Sequence, residues 1–123
     1  MSNNKPFSLN RRIKSFGYAL TGIKLFFKTQ HNARIHALAT LVVIVLGIFL
    51  RVNMNEWCWL IAAIALVVVS EMLNTAIEFL TDLVSPNFHV QAEKIKDVAA
   101  GAVLVAAIAA ASIGIIIFLP KLL

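Results

Sequence analysis

WCWLIAAIALVVVSEMLNTAIEFLTD, residues 57–82, opens as an apolar run and then takes up polar side chains at Glu71, Asn74, Glu78 and Asp82. Nothing from Trp57 to Ser70 is a Lys, Arg, Asp or Glu. Steps of three, four and four residues put the four polar groups on one side of a helix, within about 80° of arc. Glu71 and Glu78 stand two turns apart, roughly 10 Å along the axis. A lone carboxylate at membrane depth is costly, so this face must look into a helix bundle or a polar cavity.

Two further blocks, Ile35–Leu50 and Val98–Pro120, are equally free of Lys, Arg, Asp and Glu. The 123-residue chain is 60% hydrophobic and 14% charged, with a formal net charge of +5. A soluble domain of this length has too little core to hide that much apolar sequence. A cysteine-stapled mini-domain, a disordered chain and an ordinary cytosolic enzyme are excluded, and the single Cys58 allows no internal disulfide. The basic balance suits anionic lipid rather than nucleic acid. The prediction is an all-α integral membrane protein forming a single domain over residues 1–123. It has an amphipathic interfacial helix over about 10–28 and transmembrane helices over about 33–50, 57–83 and 94–119.

Residues 1–9 are polar and expected to be loose, with Ser8 or Asn10 capping the first helix. Ile13, Phe16, Leu20, Ile23 and Phe27 recur at helical steps, with Arg11, Lys14, Lys24 and Lys28 beside them, which predicts a helix lying in the membrane interface. No signal-peptide pattern precedes the first apolar block, so that block is expected to stay as a span. Arg51–Glu56 reads as a short polar turn, and Ser85–Ala92, with Pro86, as the second connection. Seven of the eleven basic residues fall in residues 1–34, and Lys94 and Lys96 follow the second connection. The positive-inside rule then places the N-terminus and that connection in the cytoplasm and the C-terminus outside. Ala102, Ala106, Ala110 and Gly114 form a four-residue stripe along which helices can pack closely, with no catalytic role required.

Lys96 and Asp97 start the last helix, and Gln30, Asn32, Arg34 and His36 approach the first span from the same leaflet. Two readings of the carboxylate face follow. It is either a structural network tied to Arg34 or Lys96, or a site with metal ligands and a base; three acids and an amide exceed what helix association needs. A lysine beside carboxylates at the membrane surface suits an anionic phosphate substrate. A transporter would want ionisable groups in the outer half as well, and a lipid phosphatase several cations and a nucleophile. Glycines occur singly, with no phosphate-cradling loop, and the histidines lack zinc spacing.

Glu71, Asn74, Glu78 and Asp82, followed by His89 and by Glu93-Lys94-Ile95-Lys96-Asp97, resemble the prokaryotic diacylglycerol kinase family, which includes the undecaprenol kinases. The similarity covers almost the whole chain, and Arg34 and His36 match the undecaprenol-kinase-like branch. It implies a homotrimer in the bacterial cytoplasmic (inner) membrane with sites shared between subunits. The activity implied is transfer of the ATP γ-phosphoryl group to a lipid hydroxyl, of undecaprenol or diacylglycerol, with Mg²⁺. Carried over residue by residue, Glu71 is the general base with Asn74 assisting, and Glu78 is a metal ligand. Lys96 and Asp97, with Asp82, His89 and Arg34, then serve the nucleotide. One position departs from the family: Gln30 stands where a metal-binding Glu is common, and an amide oxygen brings no negative charge. The alternatives are a catalytically weakened relative on that account, or a non-catalytic membrane assembly subunit.

Overall fold

The structure, a computed structural model, describes residues 6–123. Within them the chain forms four helices: α1 (Leu9–Thr29), α2 (His31–Phe49), α3 (Met54–Val84) and α4 (Val90–Leu122). The last three are long and apolar enough to cross a membrane, with mean hydropathies of 1.9, 2.1 and 2.8 in their apolar stretches. Of the loose leader expected over residues 1–9, the first five lie outside the described residues, and Pro6–Ser8 are non-helical. Ser8 takes the N-cap position of α1, but its hydroxyl makes no capping bond, and Asn10 is already inside the helix.

A single extended residue, Gln30, separates α1 from α2. Phe26 and Ala33, at 4% and 0% exposure, fill the inside of this elbow. At the far end of α2 the chain turns through a Schellman arrangement: Val52 N–H donates to Gly47 O at 3.1 Å and Arg51 N–H to Ile48 O at 3.3 Å. Arg51 takes the left-handed conformation, φ 56°, that this turn requires. The expected polar turn over Arg51–Glu56 is thus corrected on two counts. Val52 is buried in a cluster with Leu60, Ile117 and Phe118. Met54–Glu56 already belong to α3, because Asn53 and Glu56 form a reciprocal capping box (Asn53 Oδ1 accepts from Glu56 N–H at 2.8 Å, Glu56 Oε1 from Asn53 N–H at 3.0 Å).

The main body is the antiparallel pair α3–α4, and α2 meets α3 far more sparsely. Ala92, Ala99 and Ala106 are buried at intervals of seven along α4, giving α3 a seam without bulk. The four-residue stripe predicted from the sequence therefore divides. A step of four residues advances roughly 40° beyond a full turn, so Ala106 faces α3 while Ala110 and Gly114 rotate onto a cavity shared with α2. An ion pair marks each end of the pairing, Lys96–Asp82 at 2.6 Å and Lys121–Glu56 at 3.1 Å. Between them α3 advances 26 residues and α4 advances 25, so the two helices keep register over roughly 38 Å.

Gly47 lies against the Trp57 ring, and a Cβ there would stand 2.6 Å from the indole, whereas Gly114 has nothing within 4 Å. Gly47→Ala is expected to destabilise the protein by about 1–3 kcal/mol through overpacking. Gly114→Ala should leave the melting midpoint in detergent unchanged or slightly raised, and equal midpoints for the two variants would contradict this packing.

Candidate functional site

The polar face of α3 is assembled in three pairs. At its deepest point His36 Nε2 of α2 lies 2.9 Å from Glu71 Oε1. The Glu71 side chain is only 8% exposed and that of His36 28%. One turn on, Asn74 Nδ2 donates to Glu78 Oε1 at 3.3 Å, while Asn74 Oδ1 is buried without a hydrogen-bond partner. Furthest out, Lys96 Nζ of α4 donates to Asp82 Oδ1. Thr40 and Thr75 back-bond to the carbonyls of His36 and Glu71, at 2.7 and 3.0 Å, and so tie up the backbone acceptors beside the deepest pair.

The three pairs sit at different depths. His36 is about 7–8 Å from the start of α2, and Glu71 about 20 Å from the end of α3, at ~1.5 Å per residue. Where His36 and Glu71 meet, the α3–α4 hairpin therefore extends past the start of α2. Glu78, Asp82 and Lys96 lie on that projecting part, while Glu71 stays near the middle of α3.

The other sequence-derived candidates are placed as follows. Gln30 forms the elbow, and its Nε2 donates to Thr29 Oγ1 at 3.2 Å. Arg34, expected as a partner for the carboxylates, points back to α1, donating from Nε to Phe27 O at 3.3 Å and from Nη2 to Lys28 O at 2.9 Å. It satisfies carbonyls at the α1 C-terminus. His89 is the N-cap of α4, its Nδ1 accepting from Gln91 N–H at 3.0 Å. Asp97 is exposed one residue beyond Lys96. Of the two partners expected for the acid face, Lys96 meets it and Arg34 does not. The sequence reading brought His36 to this leaflet but gave it no partner; the signal for one is an ionisable side chain one turn inside a span that must pass a carboxylate-bearing helix.

Among the described residues no three or more His, Cys, Asp or Glu side chains gather into a metal cage. Mg²⁺ does not need one, since it commonly binds through one or two carboxylates and the phosphates of a substrate. The Glu78 carboxylate beside the unpartnered Asn74 Oδ1 offers one charged and one neutral oxygen, a donor set that fits it. Above the His36–Glu71 pair an apolar cavity of about 310 Å³ opens between α2, α3 and α4, lined by His36, Thr40, Val67, Ala110 and Phe118 among others.

Three apolar helices with a carboxylate–lysine face that runs from the middle of α3 toward one end define a helical membrane protein. The pattern of the prokaryotic diacylglycerol kinase family matches residues 17–118. An undecaprenol kinase from Bacillus subtilis is 41% identical over 114 residues, covering 93% of each chain. A diacylglycerol kinase from Synechocystis is 43% identical over 110 residues, 89% of this chain and 63% of that one. The Escherichia coli K12 diacylglycerol kinase is 32% identical over 110 residues, 89% of each. The chain belongs to the prokaryotic diacylglycerol kinase family and is an enzyme of the lipid-kinase class. The non-catalytic alternative is not favoured.

Asp82 and Lys96 are 63% and 32% exposed, so their ion pair is screened by solvent. Asp82→Asn is therefore expected to leave the thermal midpoint in detergent essentially unchanged. A large drop would mean that this pair, rather than the alanine seam, holds α3 to α4.

Proposed function

We propose that the protein transfers the γ-phosphoryl group of ATP to the hydroxyl of a membrane lipid alcohol, undecaprenol or diacylglycerol. The Bacillus subtilis relative, matched over 93% of both chains, favours undecaprenol. The observation that carries the reading is the buried Glu71 carboxylate, set on a face that continues outward through Glu78 to Lys96. A lipid alcohol reaches this face from the bilayer, and a soluble nucleotide reaches the projecting end of the hairpin.

Phosphoryl transfer asks mainly for positioning and charge compensation. Glu71 takes the proton of the attacking hydroxyl, with Asn74, hydrogen-bonded to Glu78, assisting. Lys96 exchanges Asp82 for phosphate oxygens, and Asp97, Asp82, His89 and Arg34 serve the nucleotide. Glu78, with Gln30, would hold Mg²⁺. When bound, the metal would offset phosphate charge and orient the nucleotide. Gln30 brings no charge, so the metal is held less tightly than by a glutamate.

The same reading places the chain in the bacterial cytoplasmic membrane as one domain, its N-terminus inside and its C-terminus outside. α1 lies along the inner surface, with Leu9, Ile13, Phe16 and Leu20, all exposed, in lipid and its basic side towards anionic head groups. Assembly as a homotrimer with shared sites would cover the apolar flanks of α2 and α4 and bring further polar groups to the acid face.

The test is turnover of purified protein in lipid micelles with Mg²⁺ and labelled ATP, offering undecaprenol and diacylglycerol side by side. Label in either lipid is expected, and label in neither overturns the reading. Glu71→Gln should lower kcat by about 10²- to 10⁴-fold, and wild-type kcat in that variant would remove Glu71 as the base. Lys96→Met should raise the KM for ATP, and Gln30→Glu should lower the Mg²⁺ concentration giving half-maximal rate.

A further inference from the structure

We infer that His36 is a positioning residue for the Glu71 carboxylate. The inference rests on the reading of Glu71 as the base. A carboxylate that acts as a base only accepts hydrogen bonds, so in that role the 2.9 Å contact takes the ring as donor from Nε2 to Oε1. The other carboxylate oxygen, Oε2, is then the one left to meet a lipid hydroxyl. A side chain 8% exposed has lost most of its water, and a buried charge without a donor is strongly disfavoured. His36 provides the hydrogen bond that replaces that water.

Three observations support a fitted arrangement. The ring also lines the apolar cavity between the three spans, so the group bonded to Glu71 stands at the edge of a void that touches α2, α3 and α4 together. Thr40 occupies the carbonyl of His36 and Thr75 that of Glu71, which leaves the two side chains to each other. The facing stretch of α4, from Val98 to Pro120, carries no Lys, Arg, Asp or Glu, and Lys96 is engaged by Asp82. The imidazole is therefore the cationic or donor group that the geometry brings to Glu71.

In the transfer step the lipid oxygen bonds to the γ-phosphorus and the bond to the β–γ bridging oxygen breaks. ADP leaves with that electron pair, and the alcohol's proton goes to Oε2 of Glu71. His36 neither gains nor loses a proton. Its contribution is to fix the direction of the carboxylate, and misplacement of a reacting group by an ångström can cost about 10²-fold in rate.

The experiment compares His36→Leu, His36→Gln and His36→Asn, each alone and combined with Glu71→Gln, by kcat and KM for ATP and lipid, with thermal midpoints recorded. A glutamine amide reaches the position of Nε2, whereas an asparagine amide falls short of it. Leu and Asn should lower kcat by about 10- to 100-fold with both KM values unchanged. Gln should recover most of the rate, and in the Glu71→Gln background none of the three should lower the residual rate further. If His36→Leu does not fold, the Gln-against-Asn comparison decides alone. Wild-type kcat in His36→Leu or His36→Asn beside an inactive Glu71→Gln overturns the role of His36 and leaves the base intact. Equal losses for Gln and Asn, or losses that multiply with Glu71→Gln, mean packing only and overturn it as well. Full activity of Glu71→Gln removes the base reading, and with it this inference.

Discussion

The closeness with which α4 can lie along α3 sets the rest of the arrangement. Within a bilayer there is no hydrophobic drive to bring helices together, because lipid tails are as apolar as the side chains. What favours contact is dispersion over a matched surface, and Ala92, Ala99 and Ala106 make that surface shallow enough for the two helices to approach. Short side chains at a seven-residue interval also fix the rotation of α4 about its axis. Lys96 thereby meets Asp82 at one end, and Lys121 meets Glu56 at the other. The Lys96–Asp82 pair follows from the register; it is too well solvated to impose it.

Much of this was legible in the chain. The charge-free blocks located the spans, and the three-four-four spacing located the acid face, because both depend only on helical periodicity. Pairing between helices was not legible, since it depends on how each helix is rotated against its neighbour. Arg34 looked like the natural partner for the carboxylates, being charged and long. It lies roughly 200° around α2 from His36, so a rotation that aims His36 at Glu71 sends Arg34 to the carbonyls of Phe27 and Lys28. The alanine stripe failed in the same way. A four-residue repeat drifts around the helix, so only Ala106 of the stripe joins Ala92 and Ala99 on the seven-residue seam against α3. The first turn was misjudged because Val52 sits among polar residues in sequence yet is placed in the apolar cluster by the left-handed Arg51.

The two ends of the bundle differ in construction. At the turn between α2 and α3, Val52, Leu60, Ile117 and Phe118 pack together with partly buried Val43, Leu46 and Trp57, and Gly47 admits the indole. All three spans are joined there by apolar contact. Toward the other end that contact thins, and polar pairs take over between neighbouring elements. The outward faces of α2 remain apolar and exposed, as Leu38, Leu41, Val45 and Ile48 show, which is the surface expected of a helix in contact with lipid or with another copy.

That difference gives the His36–Glu71 contact its weight. α2 touches α3 sparsely, and away from the turn the bond at 2.9 Å is the polar tie between them. A carboxylate near the middle of a span has few ways to remain charged: it must find a donor on its own helix, on a neighbour or on a substrate. On α3 the nearby hydroxyls of Ser70 and Thr75 already donate to the backbone carbonyls of Val67 and Glu71. The donor therefore comes from α2, and the hydrogen bond that the buried acid requires also brings α2, and the elbow carrying Gln30 and Arg34, to the side of the acid face. In the proposed reaction, folding and chemistry would draw on the same contact at this depth.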